Sequence, residues 1–132
     1  MTIFRSDDGR NAMMVALAAQ RGSLAQVQVR SGPNAGTGGQ GTLIAQMTGH
    51  ASGWGTSVTG VLTSFAIALD SSADAPGLAA HYQLNTSAAV FLQSGLLDGS
   101  DGPTIDNPSI VAGQVVQMLG LWVETAPYDD GV

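Results

Sequence analysis

The sequence contains no cysteine and no lysine, and charged residues make up only 11% of its 132 positions, against about 25% in an ordinary soluble domain. Without cysteine there can be no disulfide framework, no thiol nucleophile and no cysteine-ligated zinc site. The four basic residues are Arg5, Arg10, Arg21 and Arg30, and the formal net charge is −6. We therefore expect no nucleic-acid partner, because phosphate binding requires clustered basic side chains. The scarcity of charge favours a surface that partners largely cover.

Long apolar runs are also missing, and the first eight residues lack the basic and apolar regions of a secretory signal. We therefore expect a soluble protein that is made in the cytoplasm and has no membrane partner. A chain of this length fits one domain. We predict an N-terminal arm and helix over residues 1–22, a β-sandwich over 23–126 and an acidic C-terminal tail over 127–132.

Residues 7–20 have the pattern of a single helix. Ser6, Asp7 or Asp8 can cap its start, and Gly22 follows its last turn as a stop signal. Alanine, methionine, valine and leucine leave almost no polar face, so we expect a buried helix. It can pack on the parent sheet or against a neighbouring subunit.

Beyond Gly22 the hydrophobic period changes from helical to two, which predicts half-buried β-strands. The predicted strands cover residues 26–30, 43–47, 61–69, 78–84, 88–97 and 115–123, and a turn at 85–87 joins two of them into a hairpin. Turns rich in glycine, serine, aspartate and proline separate the others. The pattern predicts a mainly β fold, an antiparallel, jelly-roll-like β-sandwich with one N-terminal α-helix.

Two of these strands carry definite expectations about burial. In the strand 61–69 the side chains sharing the predicted core face are Val61, Thr63, Phe65, Ile67 and Leu69. In the last strand one face holds Val115, Gln117, Leu119, Leu121 and Val123, and the other holds Val116, Met118 and Trp122. Few polar residues interrupt either face, so we expect this strand to be central in the sandwich or covered by a partner.

No motif in the sequence predicts catalysis, a cofactor or a metal centre. Residues 36–41 match G-x-G-x-x-G, but a strand pattern follows them, so they predict a loop between strands. Residues 98–102 lack the ligand spacing of an EF-hand, and a turn is favoured over weak surface calcium. His50 and His81 lack ligand spacing and are expected at the surface or in an interface. We therefore expect a protein that is not an enzyme.

Three stretches of the sequence follow one another in an order and at a spacing that are typical of a known family. They are Arg10-Asn11-Ala12 before paired large apolar residues, Gly60-Val61-Leu62-Thr63 before an Asp- and Ser-rich turn, and Ile110-Val111-Ala112-Gly113 before a valine-rich strand. Together they resemble a family of small proteins encoded among the structural genes of tailed phages and prophages. The resemblance implies a β-rich virion component without catalytic residues.

As a component of a tailed-phage particle, the chain is expected to be a capsid cement or decoration protein. We expect it to form a homotrimer on the outer shell, to bind the major capsid protein and to bridge its subunits. The candidate interaction residues are Thr2, Ile3, Phe4, Arg5, Trp54 and Trp122. The first four would form a clasp on a neighbour's sheet, and Trp54 would anchor an interface or pack over the end of the sandwich. The alternative is a tail- or fibre-associated adhesin-like module that contacts the host surface through Trp54 and the glycine-rich loops.

Overall fold

The computed structural model describes residues 6–34, 36–56, 61–64, 67–97, 103–119 and 122–125. Within them lie one helix and nine strands: α1 (Asp7–Arg21), β1 (Gln26–Arg30), β2 (Leu43–Thr48), β3 (Trp54–Thr56), β4 (Val61–Ser64), β5 (Gly77–Leu78), β6 (His81–Asn85), β7 (Phe91–Leu96), β8 (Ser109–Ile110) and β9 (Val123–Thr125). Every strand pair is antiparallel. The prediction of a mainly β sandwich with one N-terminal helix is confirmed.

The strands form a four-stranded sheet in the order β2-β1-β6-β7, a three-stranded sheet in the order β3-β4-β9, and a short ribbon of β5 and β8. Alternate side chains of the larger sheet point into the core, where Val27, Met47 and Leu84 are fully buried. Val116 and Trp122 of the C-terminal segment meet them from the other side. The core therefore lies between the four-stranded sheet and the C-terminal half of the chain.

Both ends of α1 have the capping residues that the sequence predicts. The hydroxyl of Ser6 accepts a hydrogen bond from the Gly9 amide at 3.1 Å, as an N-cap does. Gly22 adopts a φ of 66° and donates its amide to the Ala18 carbonyl at 3.0 Å, which ends the helix at Arg21.

Within the chain α1 is buried along one side only, and its predicted burial against a neighbouring subunit stays a prediction. Its buried residues are Arg10, Met14 and Arg21, whereas Met13 and Val15 are 40% and 47% exposed. Met14 packs with Leu62 of β4 and with the partly buried Trp54 of β3. The inward side of the helix therefore contains two arginines, and its most uniformly apolar side faces solvent.

In β4, which covers residues 61–64 of the predicted strand 61–69, the buried face is the opposite of the predicted one. In β4 the buried residues are Leu62 and Ser64, while Val61 and Thr63 are only half-buried. Leu62 packs under α1, and the Ser64 hydroxyl accepts a hydrogen bond from the Trp122 amide at 2.9 Å. Phe65 lies outside the described residues. Contacts with α1 and the C-terminal segment thus select this face.

Among the described residues of the predicted C-terminal strand, one face is buried and the other exposed, although residues 115–119 pair only through isolated bridges; Leu121 lies outside the described residues. Val116 and Trp122 have no exposed surface, whereas Val115 and Leu119 are 46% and 51% exposed. Isolated bridges link Val116 to Asp70 and Met118 to Ile105. The predicted hairpin is also present, as β6 and β7, with narrower bounds.

The connection between β1 and β2 depends on Gly41. Its φ is +66°, and a Cβ atom there would lie 1.8 Å from the Ser31 carbonyl oxygen, whereas at Gly36, with a φ of +74°, a Cβ would meet no atom within 4 Å. We expect Gly41→Ala to lower the free energy of unfolding by more than about 3 kcal/mol and Gly36→Ala by about 1 kcal/mol, since only the first adds a clash to left-handed strain. Urea denaturation measures both. Equal losses would contradict the close approach at Gly41.

Candidate functional site

A charged cluster in the interior joins α1 to both sheets. Its members are Arg21, Trp54, Tyr82, Gln93, Trp122 and Glu124, and we call it the Arg21 cluster. Arg21 Nη2 donates to Gln93 Oε1 at 2.7 Å and lies 2.5 Å from Glu124 Oε2. Gln93 Nε2 donates in turn to the Tyr82 hydroxyl at 2.9 Å. One guanidinium therefore connects the end of the helix to β7 and β9.

Aromatic rings enclose the remaining faces of that guanidinium. Arg21 Cζ lies 4.6 Å from the ring centroid of Trp54 and 5.5 Å from that of Trp122, within the range of a cation–π contact. Trp122 also meets Trp54 and Tyr82 edge to face, with centroids 5.3 and 4.7 Å apart. These contacts fix the relative position of the two sheets.

The Arg21 cluster lies in the interior of the described structure. Arg21 is 1% exposed and Trp122 is not exposed at all, so neither can touch a partner in this conformation. This corrects the expectation that Trp122 is an interaction residue. Trp54 packs against the core, as the alternative expectation had it. Thr2, Ile3, Phe4 and Arg5, the other candidate interaction residues, lie outside the described residues.

On the face of the four-stranded sheet that points away from the core, a row of amide side chains is covered by the glycine-rich loop, the connection between β1 and β2. Gln28 donates to Gln46 at 3.1 Å, and Gln83 donates to Asn85 at 2.9 Å. The loop closes over the row because the Gly39 amide donates to Gln83 Oε1 at 2.8 Å. Gln28, Gln83 and Asn85 are consequently buried with their polar groups bonded.

The two histidines occupy different environments. His81 is 1% exposed, and its Nδ1 lies 3.0 Å from the Gly32 carbonyl oxygen, so the expectation of a surface or interface position is wrong for it. The same glycine-rich loop covers it. His50 is exposed and accepts a hydrogen bond from the Ser52 amide at 2.9 Å.

The three described arginines all bond to partners within the chain. Arg10 is 8% exposed and pairs with Asp7 at 3.3 Å, and Arg30 Nη1 donates to the Gln40 carbonyl oxygen at 3.3 Å. Arg21 lies in its buried cluster. Exposed carboxylates, in contrast, occur at Asp7, Asp8, Asp74 and Asp106. The described surface is therefore acidic or neutral.

An apolar face is exposed where the C-terminal segment pairs with Asp70. Side chains alternate along these extended segments, so Leu69, Val115 and Leu119 lie opposite the buried Val116 and Ile105. We call Leu69, Val115 and Leu119 the ladder face, and they are 47%, 46% and 51% exposed. No charged residue occurs from residue 107 to residue 123. Asp106, which is exposed and donates its amide to the Gln117 carbonyl oxygen at 3.2 Å, lies on the same side, so a partner that covers this face must leave that carboxylate hydrated or pair with it.

The sequence contained only one hint of the Arg21 cluster. Glu124 is the only glutamate in the chain, and it stands in an otherwise apolar and aromatic context, two residues after Trp122. An isolated carboxylate in such a strand requires a partner when the strand is buried. Nothing in the local pattern identified Arg21 as that partner, because the two residues are far apart in the chain.

Among the described residues, no group of three or more histidine, aspartate or glutamate side chains could hold a metal ion. No described helix is both long and apolar enough to cross a membrane. Comparison with models of known protein families, with curated proteins and with solved structures found no match for this chain. Its function therefore has to be inferred from its own residues.

Proposed function

We propose that this chain is a structural virion protein of a tailed phage and acts as a capsid cement, without enzymatic activity. In this role it binds the major capsid protein on the outer shell, bridges neighbouring subunits and associates with itself as a homotrimer. The observation that carries the proposal is the exposed, mainly apolar ladder face on a domain whose described arginines all bond to partners within the chain. The phage setting comes from the resemblance of the three sequence stretches.

The charge distribution supports a position outside the shell. The described surface carries exposed carboxylates and no exposed arginine, and a surface of this charge is repelled by packaged DNA. Attachment must then come from apolar contact and from hydrogen bonds, as the ladder face offers. Each contact can be modest, because repetition at every symmetry-related position of a shell converts weak binding into high avidity.

Leu119→Glu tests the ladder face. We expect at least about a tenfold weaker binding to capsids lacking the protein, because a carboxylate would be buried against the partner. The fold should be retained, since Leu119 is 51% exposed. Val90→Glu is the matched control, with the same added charge at a residue that is 58% exposed in the turn between β6 and β7. Sedimentation of capsids with bound protein measures the affinity, and unchanged binding of Leu119→Glu would refute this surface.

Copy number separates the cement function from the alternative of a tail- or fibre-associated module. A cement occurs in hundreds of copies per particle, and a tail component in a few to tens. Quantitative mass spectrometry of purified particles gives this number directly. A low number would overturn the cement function and leave the tail module.

A further inference from the structure

The tip of the glycine-rich loop, residues 36–40, has few attachments to the sheet below it. Residues 36–39 are exposed, and three of the five residues are glycines, which have no side chain to bury. In the described structure the Gly39 amide donates to Gln83 Oε1 at 2.8 Å, and Arg30 Nη1 donates to the Gln40 carbonyl oxygen at 3.3 Å. A segment with so little buried apolar surface belongs to the part of a fold that opens most readily.

The two arms of the loop are fixed more firmly than its tip. Ser31 and Thr42 close the base, because the Ser31 amide donates to the Thr42 carbonyl oxygen at 3.1 Å and the Thr42 amide donates to the Ser31 hydroxyl at 3.2 Å. In the first arm the Gly32 carbonyl oxygen lies 3.0 Å from Nδ1 of the buried His81. A movement of the loop is therefore confined to its tip.

The amide side chains below the tip keep their arrangement without it. Gln28, Gln46, Gln83 and Asn85 form what we call the amide row. Gln28 donates to Gln46, Gln83 donates to Asn85, and Arg30 Nε donates to Gln28 Oε1 at 3.0 Å. These bonds lie within the sheet, so they persist when the tip is lifted. Water can then bond to the atoms that the tip releases, and the net cost of opening is small.

The two faces of the four-stranded sheet differ in the way expected of a permanent cover and a removable one. The core face is apolar, and Val27, Met47 and Leu84 on it are fully buried. A face that stays covered is normally of this kind, because burial of polar groups costs free energy. The face below the tip carries amides at alternate positions of β1 and β6 instead. Amides suit a face that water reaches for part of the time.

We propose that the tip of the glycine-rich loop is a lid that lifts from the amide row while both sheets stay folded. Lifting breaks the bond between the Gly39 amide and Gln83 Oε1. It leaves that acceptor free within a row of side chains whose orientation the sheet maintains. The open state is then an ordered hydrogen-bonding surface, and the closed state covers it with the main chain of the loop.

Hydrogen exchange of the full chain, followed residue by residue with NMR, tests the lid. The Gly39 amide exchanges only when its bond to Gln83 is broken, so its protection factor, the intrinsic rate divided by the measured rate, reports lifting of the tip. We expect a protection factor of about 10–1000 at Gly39. The amides of β1, which has a paired strand on both sides, should be protected at least about 100-fold more strongly.

A disulfide across the closed lid gives the sharpest comparison. A Cβ atom at Gly38 would lie 3.3 Å from the Phe91 Cβ, close to the separation of about 3.5–4.5 Å found in disulfides. The chain has no cysteine of its own that could form a competing bond. In the oxidised Gly38→Cys/Phe91→Cys variant, protection at Gly39 should rise at least about tenfold more than protection in β1. The reduced form of the same variant is the matched control, because its side chains are identical and its lid is free.

Gln83→Leu tests the attachment of the tip with a single change. It removes the acceptor of the Gly39 amide, so protection at Gly39 should fall at least about fivefold relative to protection in β1. Gln46→Leu is the matched control. It changes another amide of the row, one that has no described bond to the tip, and should leave exchange at Gly39 unchanged.

Three results would each overturn the lid. Protection at Gly39 equal to that in β1 would mean that the tip opens only when the whole domain unfolds. Absence of protection at Gly39 would mean that the tip does not close over the amide row. Unchanged protection at Gly39 in the oxidised disulfide variant would mean that exchange does not require lifting. All three are measured on the isolated chain, so the lid and the proposed cement function stand or fall separately.

Discussion

The Trp122→Ala variant is expected to lose about 3–5 kcal/mol of unfolding free energy, the usual cost of removing a large aromatic side chain from a core. Trp122 has no exposed surface and contacts Trp54, Tyr82 and Arg21. Its removal would leave a cavity at the junction of the two sheets. Such a loss is a large share of the roughly 5–15 kcal/mol that stabilise a domain.

Urea denaturation followed by far-ultraviolet circular dichroism is the suitable measurement, because tryptophan fluorescence would itself change with the substitution. Leu119→Ala is the matched control in the same segment, and its 51% exposure predicts a loss below about 1 kcal/mol. If the two variants were equally stable, Trp122 could not be the residue that joins the sheets.

The Arg21→Met variant is expected to lose about 2–4 kcal/mol of unfolding free energy, because it leaves the Glu124 carboxylate without its partner. We place this below the cost of a completely buried pair, since the Glu124 side chain is 23% exposed and keeps some hydration. Arg10→Met is the matched control on the same side of α1. Its partner Asp7 is 67% exposed, so the loss from the ion pair should be below about 1 kcal/mol.

A double-mutant cycle shows whether the loss comes from the ion pair. Adding Glu124→Gln to Arg21→Met removes the stranded charge and should recover at least half of the lost stability. Thermal unfolding of the four proteins gives the coupling. Additive losses in the double variant would mean that Arg21 stabilises the fold through the tryptophan rings and Gln93 and not through Glu124.

Local signals predicted the elements of the fold well. The cap at Ser6 and the stop at Gly22 act within one turn of the helix, so the sequence alone was sufficient to place both ends of α1. The alternation of residues 115–119 likewise survives in the structure, because a strand with one buried face requires a period of two. These patterns are short-range, and tertiary contacts do not need to be known to read them.

The errors arose where distant contacts decide which side is buried. An arginine in a helix is expected to face water, yet Arg21 lies under Trp54 and Trp122 with Glu124 as its partner. Glutamines at alternate positions in β1 and β6 also have the pattern of a solvent-facing row. The glycine-rich loop covers that row instead, through Gly39, and no local rule predicts where such a loop folds back.

The internal arginines have a practical consequence for proteolysis. Trypsin cleaves after lysine and arginine, and the chain has no lysine and no arginine in the whole stretch from residue 31 to residue 132. Of the described arginines, Arg10 and Arg21 are buried and Arg30 lies at the end of a central strand. Tryptic cleavage at these three bonds in the native protein therefore reports opening of α1 or β1. In the denatured protein the same bonds release residues 11–21 and 22–30 as peptides, which can be used to count copies of the protein by mass spectrometry.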